Sequence, residues 1–140
     1  MLDVLEAKAN QLRLTNVRTQ HLHPGGCLSG TYDAIVSSMT FHHVEHVEAA
    51  LDQFYRALKA PGYLCVADLD PEQGEFHEDN TGVFHFGFER AALRELFARA
   101  GFSKIREGTA AEVTKPTRTG VPRQFSVFLM VGEKDARSAG

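Results

Sequence analysis

Cysteine is scarce in this 140-residue sequence, which contains two cysteines, Cys27 in a glycine-rich segment and Cys65 inside an apolar run. Two cysteines are too few for a disulfide framework, and their spacing is not that of metal ligands. We therefore expect a reducing, cytoplasmic setting.

Long apolar runs are also absent. No stretch approaches the roughly 20 apolar residues that a membrane-spanning helix needs. The first 14 residues lack the cationic start and apolar centre of a signal peptide. We expect no membrane partner.

The sequence has no excess of basic residues either. Its 15 Lys and Arg residues are outnumbered by 18 Asp and Glu residues, which gives a formal net charge of -3, and they form no stripe. This composition argues against nucleic acid and favours a small molecule or a protein as partner. With 43% hydrophobic residues, the chain is long enough for one globular core. We predict one domain over residues 1–134 and a disordered tail over 135–140.

Apolar periodicity predicts alternating helices and strands. Apolar residues that recur three and four positions apart predict three helices: one that ends near Leu14, one that runs from Val47 and stops at Pro61, and one over 93–100. Short apolar runs predict strands at 17–22, 32–38, 63–69, 104–109 and 124–133. This alternation is typical of an α/β fold with a largely parallel sheet. The last two strands have no helix between them, so we expect an antiparallel pair joined by the loop 114–122.

Residues 32–70, YDAIVSSMTFHHVEHVEAALDQFYRALKAPGYLCVADLD, resemble the second half of a class I S-adenosylmethionine-dependent methyltransferase. Residues 87–105 resemble the helix and sixth strand of the small-molecule methyltransferases of that superfamily, and 125–134 resemble their last strand. Residues 1–17 resemble the helix after the family's second strand. The resemblance implies a Rossmann-like α/β sheet, mostly parallel with an antiparallel C-terminal strand pair, and methyl transfer to a small-molecule acceptor.

Two features of the family have no counterpart in this sequence. The family's first strand ends in a glycine-rich turn and its second strand in an acidic residue, whereas the double glycine here, Gly25 and Gly26, follows Pro24 and opens no helix. The resemblance thus implies a truncated sheet that lacks the first two strands. Those strands separate the third from the fourth, so at about 4.8 Å per strand a gap of roughly 14 Å must close. We expect a rearranged sheet or a homodimer that forms through the exposed sheet edge.

The resemblance also implies, by position, which residues contact the cofactor. Leu22 and His23 would lie near the adenine of S-adenosylmethionine, and Ser38 with Met39 near its methionine end. His42 and His43 follow a strand at the edge where open α/β sheets bind ligands, and His85 precedes Gly-Phe, where the family often carries a histidine. These three histidines are the predicted catalytic residues, since an imidazole can accept the proton of a methyl acceptor near neutral pH.

Two alternatives stay open at the level of the sequence. His42, Glu45 and His46 spell H-x-x-E-H, a motif of zinc hydrolases, but only ligands on one helix would share a face, and no clear helical phase starts at His42. The other alternative is a non-catalytic, truncated methyltransferase-like protein or partner subunit. In the main interpretation no residue binds a metal.

Overall fold

The structure is a computed structural model that describes residues 2–20, 28–117 and 119–136. Helices and strands alternate through most of these residues. The helices are α1 (Leu2–Gln11), α2 (Val47–Ala57) and α3 (Arg90–Ala100), and the strands are β1 (Tyr32–Ser38), β2 (Leu58–Leu69), β3 (Ser103–Pro116) and β4 (Pro122–Lys134). In this part of the chain no helix is long and apolar enough to cross a bilayer.

The strands form one sheet in the order β1-β2-β4-β3. β1 and β2 are parallel, with Ser38 opposite Ala67. β4 runs antiparallel to both β2 and β3. The α/β class and the antiparallel pair at the C-terminal side are therefore confirmed, and one of the three strand pairings among the described residues is parallel.

The hydrophobic core lies between the sheet and the helices α2 and α3. Leu51 of α2 and Phe97 of α3 are fully buried in one cluster with Leu64 of β2 and Phe128 of β4. Burial of each such side chain stabilises the fold by about 1.5–3 kcal/mol. Successive side chains of a strand point to opposite faces. Alternate residues such as Tyr63 are therefore partly exposed on the other face.

The predicted strand at 17–22 is wrong where the structure describes it. Residues 17–20 form no strand, and residues 21 and 22 lie outside the described residues. The segment 17–20 contains a single apolar residue, Val17, and pairs with no strand of the sheet. Its Thr19 hydroxyl bonds instead to Glu6 of α1.

Several element boundaries also differ from the prediction, among them the start of β2 at Leu58 rather than at residue 63. α2 ends at Ala57 rather than at Pro61, because Leu58 is buried and already pairs with Tyr32 of β1. Strands β3 and β4 continue into the predicted loop. A short turn joins them, in which the Thr117 amide donates to the Val121 carbonyl. Tertiary pairing decides these boundaries because local propensity is weak.

One edge of the sheet is formed by β1, which pairs only with β2 among the described strands. Val36, in the middle of β1, is 73% exposed. An unpaired edge of this kind is a site at which another chain can add a strand. The homodimer through this edge, which needs a second chain to be tested, stays a prediction.

An ion pair joins the end of β2 to the start of α3. The Arg90 guanidinium donates from Nε and Nη2 to the two carboxylate oxygens of Asp70, both at 2.8 Å. Arg90 also donates to Glu107 and to the Thr109 hydroxyl of β3. Hydrogen bonding from Arg90 holds the pKa of Asp70 below its usual value. Asp70, although it follows a strand at the ligand-binding edge, therefore has a structural role.

Asp70→Asn is expected to lower the free energy of unfolding by about 1–2 kcal/mol at pH 7. A hydrogen bond to a charged group contributes about 1.5–3 kcal/mol, and the value is reduced here because the pair is partly exposed and the amide keeps one acceptor oxygen. A carboxylate whose pKa is lowered in the folded state stabilises that state at pH values above the pKa of the unfolded chain, about 3.9. The difference in free energy of unfolding between wild type and variant should be largest above about pH 5. It should decrease to zero as the pH falls through the lowered pKa of Asp70. Urea unfolding from pH 7 to pH 3 measures it.

Asp52→Asn serves as the control for this experiment. Asp52 also pairs with an arginine, Arg56, at 2.8 Å, but both side chains are more than half exposed. Its loss should change stability by at most about 0.5 kcal/mol. If the free energy of unfolding of Asp70→Asn differs from that of wild type by the same amount at pH 3 as at pH 7, the structural role of the Asp70 carboxylate is contradicted.

Candidate functional site

The candidate site lies where the parallel strands β1 and β2 end. Because Ser38 pairs with Ala67, the residues that follow both strands meet at the same sheet edge. The chain leaves β1 through a short 3₁₀ turn, Phe41–His43. Phe41 is buried in the core, which draws the neighbouring His42 under the loop and leaves His43 on the surface.

Asp68 is fully buried at this edge and accepts three hydrogen bonds. The His42 amide donates to Oδ2 at 3.1 Å, and His42 Nδ1 and the Leu69 amide donate to Oδ1, both at 2.7 Å. Because a carboxylate oxygen accepts, Nδ1 of His42 carries the proton. The lone pair of neutral His42 is therefore on Nε2.

The tautomer of His43 is fixed as well. Its Nδ1 lies 2.8 Å from the carbonyl oxygen of Gly82, which can only accept, so Nδ1 carries the proton. The ring is exposed. The lone pair of neutral His43 is on Nε2, at the surface.

A third histidine, His77, which is not among the predicted site residues, lies against these two. Its Nε2 is 3.1 Å from Nε2 of His42. The pKa of His77 is lowered, first by burial and then by the neighbouring histidines and Lys115, while Glu72 opposes the shift.

The position of His77 depends on its neighbour Phe76. The Phe76 ring packs edge-on against Phe125 of β4, with centroids 5.1 Å apart. Glu72 accepts hydrogen bonds from the amides of Glu75 and Phe76, which fixes the turn. The acidic segment 72–79 is thus packed on the sheet through Phe76. No motif in the sequence relates residue 77 to residue 42.

His85 lies in the same loop but bonds elsewhere. Its Nε2 donates to the Val44 carbonyl at 2.8 Å, and its ring packs on Phe88. The amides of Phe84 and His85 donate to the His42 carbonyl, which ties this loop to the 3₁₀ turn. The catalytic assignments of His42, His43 and His85 stay predictions.

The predicted cofactor contacts are described in part. Leu22 and His23 lie outside the described residues. Ser38 lines an open groove of about 1110 Å³ along β1, together with Ser37 and Thr40. Met39 is partly buried, has a φ of 55°, and its amide donates to the Ala67 carbonyl.

The H-x-x-E-H motif does not form one helical face. His42 lies in the 3₁₀ turn and is buried, whereas His46 precedes α2 and its side chain is 78% exposed. Glu45 is also exposed and lies 3.8 Å from His46 rather than near His42. The geometry that a zincin helix requires is absent from these described residues.

Comparisons with known proteins agree on one family. A family model described as "Methyltransferase domain" matches residues 1–107. An uncharacterised methyltransferase of Schizosaccharomyces pombe is 35% identical over an alignment that covers 54% of this chain and 29% of that protein. The chain therefore spans less than a third of the length of this curated relative.

Two solved structures share the fold at low sequence identity. The YcgJ protein of Bacillus subtilis superposes with a TM-score of 0.75 at 15% identity, over 96% of this chain and 78% of that one. A SAM-dependent methyltransferase of Aquifex aeolicus superposes with a TM-score of 0.62 at 17% identity, over 94% of this chain and 62% of that one. At these sequence identities the likeness shows a shared fold alone.

Proposed function

Because the chain belongs to the methyltransferase-domain family, we propose that it transfers a methyl group from S-adenosylmethionine to a small-molecule acceptor. The observation that carries the proposal is the exposed His43 imidazole, whose lone pair is fixed on Nε2 at the carboxyl end of β1. Ligands of open α/β sheets bind at this end of the strands.

The described residues fit part of the cofactor. The groove along β1 is lined by the hydroxyl-bearing residues Ser37, Ser38 and Thr40, which can donate hydrogen bonds to a carboxylate or accept them from an ammonium group. Ser38 and Met39 would hold the methionine end, and Leu22 and His23 the adenine. When bound, S-adenosylmethionine supplies a methyl group on a positively charged sulfur.

His43 would then accept the proton that the acceptor loses. The Gly82 carbonyl holds Nδ1–H, so only Nε2 is free to take a proton. His42 is buried and bonded to Asp68, which suits a positioning role. His85 is held by Val44 and would border the pocket.

The neighbouring surface supports a small acceptor with an apolar part. Phe84 and Phe86 are 53% and 45% exposed, and the Phe84 amide is tied to the His42 carbonyl at 2.9 Å. Exposed aromatic rings beside a polar group favour a ligand that offers an apolar body and one nucleophilic atom.

Calorimetric titration with S-adenosylmethionine, followed by transfer of labelled methyl groups to a panel of small phenols and amines, tests this function. His43→Ala is expected to lower kcat about 100-fold with little change in cofactor affinity, which is the contribution typical of a positioned base. His46→Ala is the matched control, because His46 is exposed and outside the site. Its turnover should equal that of wild type.

Two results would contradict the proposal. No binding at millimolar S-adenosylmethionine would favour the alternative of a non-catalytic methyltransferase-like chain that a partner completes. Cofactor binding and turnover that survive intact in His43→Ala would keep the methyltransferase and remove His43 as the base.

A further inference from the structure

The three histidines at the candidate site converge more closely than methyl transfer requires. We propose that His42, His43 and His77 form a binding site for a divalent cation of the zinc class. Their ligand nitrogens all lie within 4.8 Å of one another. Imidazole nitrogen is a preferred ligand of Zn²⁺, Co²⁺ and Ni²⁺, and three histidines with an open fourth position are one of the arrangements that zinc adopts.

Two of the three rings are already oriented for a metal. In metal sites, the histidine nitrogen that does not bind the ion usually donates to a carboxylate or a backbone carbonyl. His42 donates from Nδ1 to the Asp68 carboxylate, and His43 donates from Nδ1 to the Gly82 carbonyl. Both therefore present a lone pair on Nε2, which is the ligand form.

The distances fit a tetrahedral ion after a small rotation. Zn–N bonds of about 2.0–2.1 Å place two tetrahedral ligand nitrogens roughly 3.4 Å apart. The Nε2 atoms of His42 and His77 are separated by 3.1 Å. His77 is half-buried and its ring can turn, and the exposed His43 ring can tilt about its hydrogen bond to Gly82, which brings the remaining pairs into range while Asp68 fixes His42.

Hydrogen bonding without a metal explains only part of the cluster. An N–H on Nε2 of His77 can donate to the lone pair on Nε2 of His42, which accounts for their 3.1 Å separation. It does not use the lone pair of His43, whose ring centroid is 4.2 Å from that of His42 and 5.5 Å from that of His77. A cation would use all three lone pairs. On binding, the proton on Nε2 of His77 moves through solvent to its Nδ1, with no net release.

The charges around the cluster accept a cation. The buried Asp68 carboxylate lies directly behind His42, and Glu72 acts on His77 from the loop. Lys115 is the opposing charge, and its ammonium lies over the Phe76 ring at 4.2 Å. The fourth position is on the exposed side of His43, where water or an acceptor oxygen can bind.

Metal binding and proton acceptance are alternative uses of one atom, Nε2 of His43. The site stands on the histidine geometry and does not depend on the proposed methyl transfer. Its test is therefore a binding measurement that needs neither S-adenosylmethionine nor an acceptor.

Equilibrium dialysis of the 140-residue chain against Zn²⁺ at about pH 7.5 tests the site, since imidazole binds a metal in its neutral form. Metal analysis and a parallel Co²⁺ absorption spectrum accompany it. We expect one equivalent of Zn²⁺ and the intense visible bands of tetrahedral Co²⁺. His77→Ala should weaken binding at least about 10–100-fold, the loss typical of removing even a supporting residue of a metal site. His43→Ala should do the same.

His46→Ala is the control, because His46 is 78% exposed and is not one of the three clustered histidines. It should retain one equivalent and the Co²⁺ bands. The proposal is overturned if wild type binds no Zn²⁺ at millimolar concentration, or if His77→Ala binds as tightly as wild type. It is also overturned if His46→Ala loses the ion. Circular dichroism and thermal unfolding of each variant verify that the fold is intact.

Discussion

Asp68→Ala is expected to lower the free energy of unfolding by about 3–5 kcal/mol, because it leaves several buried donors without an acceptor. The substitution leaves three donors in the interior: the His42 amide, His42 Nδ1 and the Leu69 amide. An unsatisfied buried donor is unfavourable by about 1–3 kcal/mol. Because a domain of this size has about 5–15 kcal/mol of stability, such a loss is large.

Urea unfolding at pH 7 measures this change, with two variants for comparison. Asp33→Ala is the control, because its carboxylate is exposed and meets Lys59 only at 3.7 Å; the expected change is below about 0.5 kcal/mol. Asp68→Asn keeps the shape and one acceptor oxygen, so it should fall between the two. Equal stability of Asp68→Ala and Asp33→Ala would mean that Asp68 does not hold the 3₁₀ turn.

Gly87→Ala is expected to destabilise the protein by about 2–5 kcal/mol, as the sum of a left-handed backbone penalty of about 1–2 kcal/mol and overpacking of about 1–3 kcal/mol. Gly87 has a φ of 80°, and a Cβ there would lie 2.1 Å from the Asp70 carbonyl oxygen. That neighbour is backbone and cannot rotate away. The loop that carries His77 and His85 must therefore move.

Gly120→Ala separates the two contributions. Gly120 has a similar φ of 82°, but a Cβ at this residue would have no atom within 4 Å among the described residues, so only the backbone penalty of about 1–2 kcal/mol applies. Thermal unfolding compares the two variants. If Gly87→Ala and Gly120→Ala are equally stable, the close approach to Asp70 has no energetic weight.

The sequence predicts the fold well where apolar residues repeat with a clear period. Leu93 and Phe97 mark α3, and the helix ends at Gly101, whose φ of 114° suits a glycine. Prediction is poorest where pairing decides the outcome. Leu58 reads as helical by spacing, yet it begins β2 because it is buried opposite Tyr32. No local pattern contains that information.

The site is predictable in the same uneven way. His42, His43 and Asp68 each follow or end a predicted strand, and parallel strands bring such positions together. His77 follows no strand. It reaches the site because Phe76 packs on Phe125, a residue 49 positions further along the chain. A contact at that separation cannot be inferred from one sequence.

The strand order has a consequence for how the protein folds during synthesis. β4 lies between β2 and β3 although it is made last of the four, and its Phe128 and Met130 are fully buried in the main cluster. Lys134, at the end of β4, donates to the carbonyls of Tyr55 and Leu58, where α2 gives way to β2. The nascent chain therefore leaves this core open, with apolar surface exposed to water, until residues 122–134 have left the ribosome.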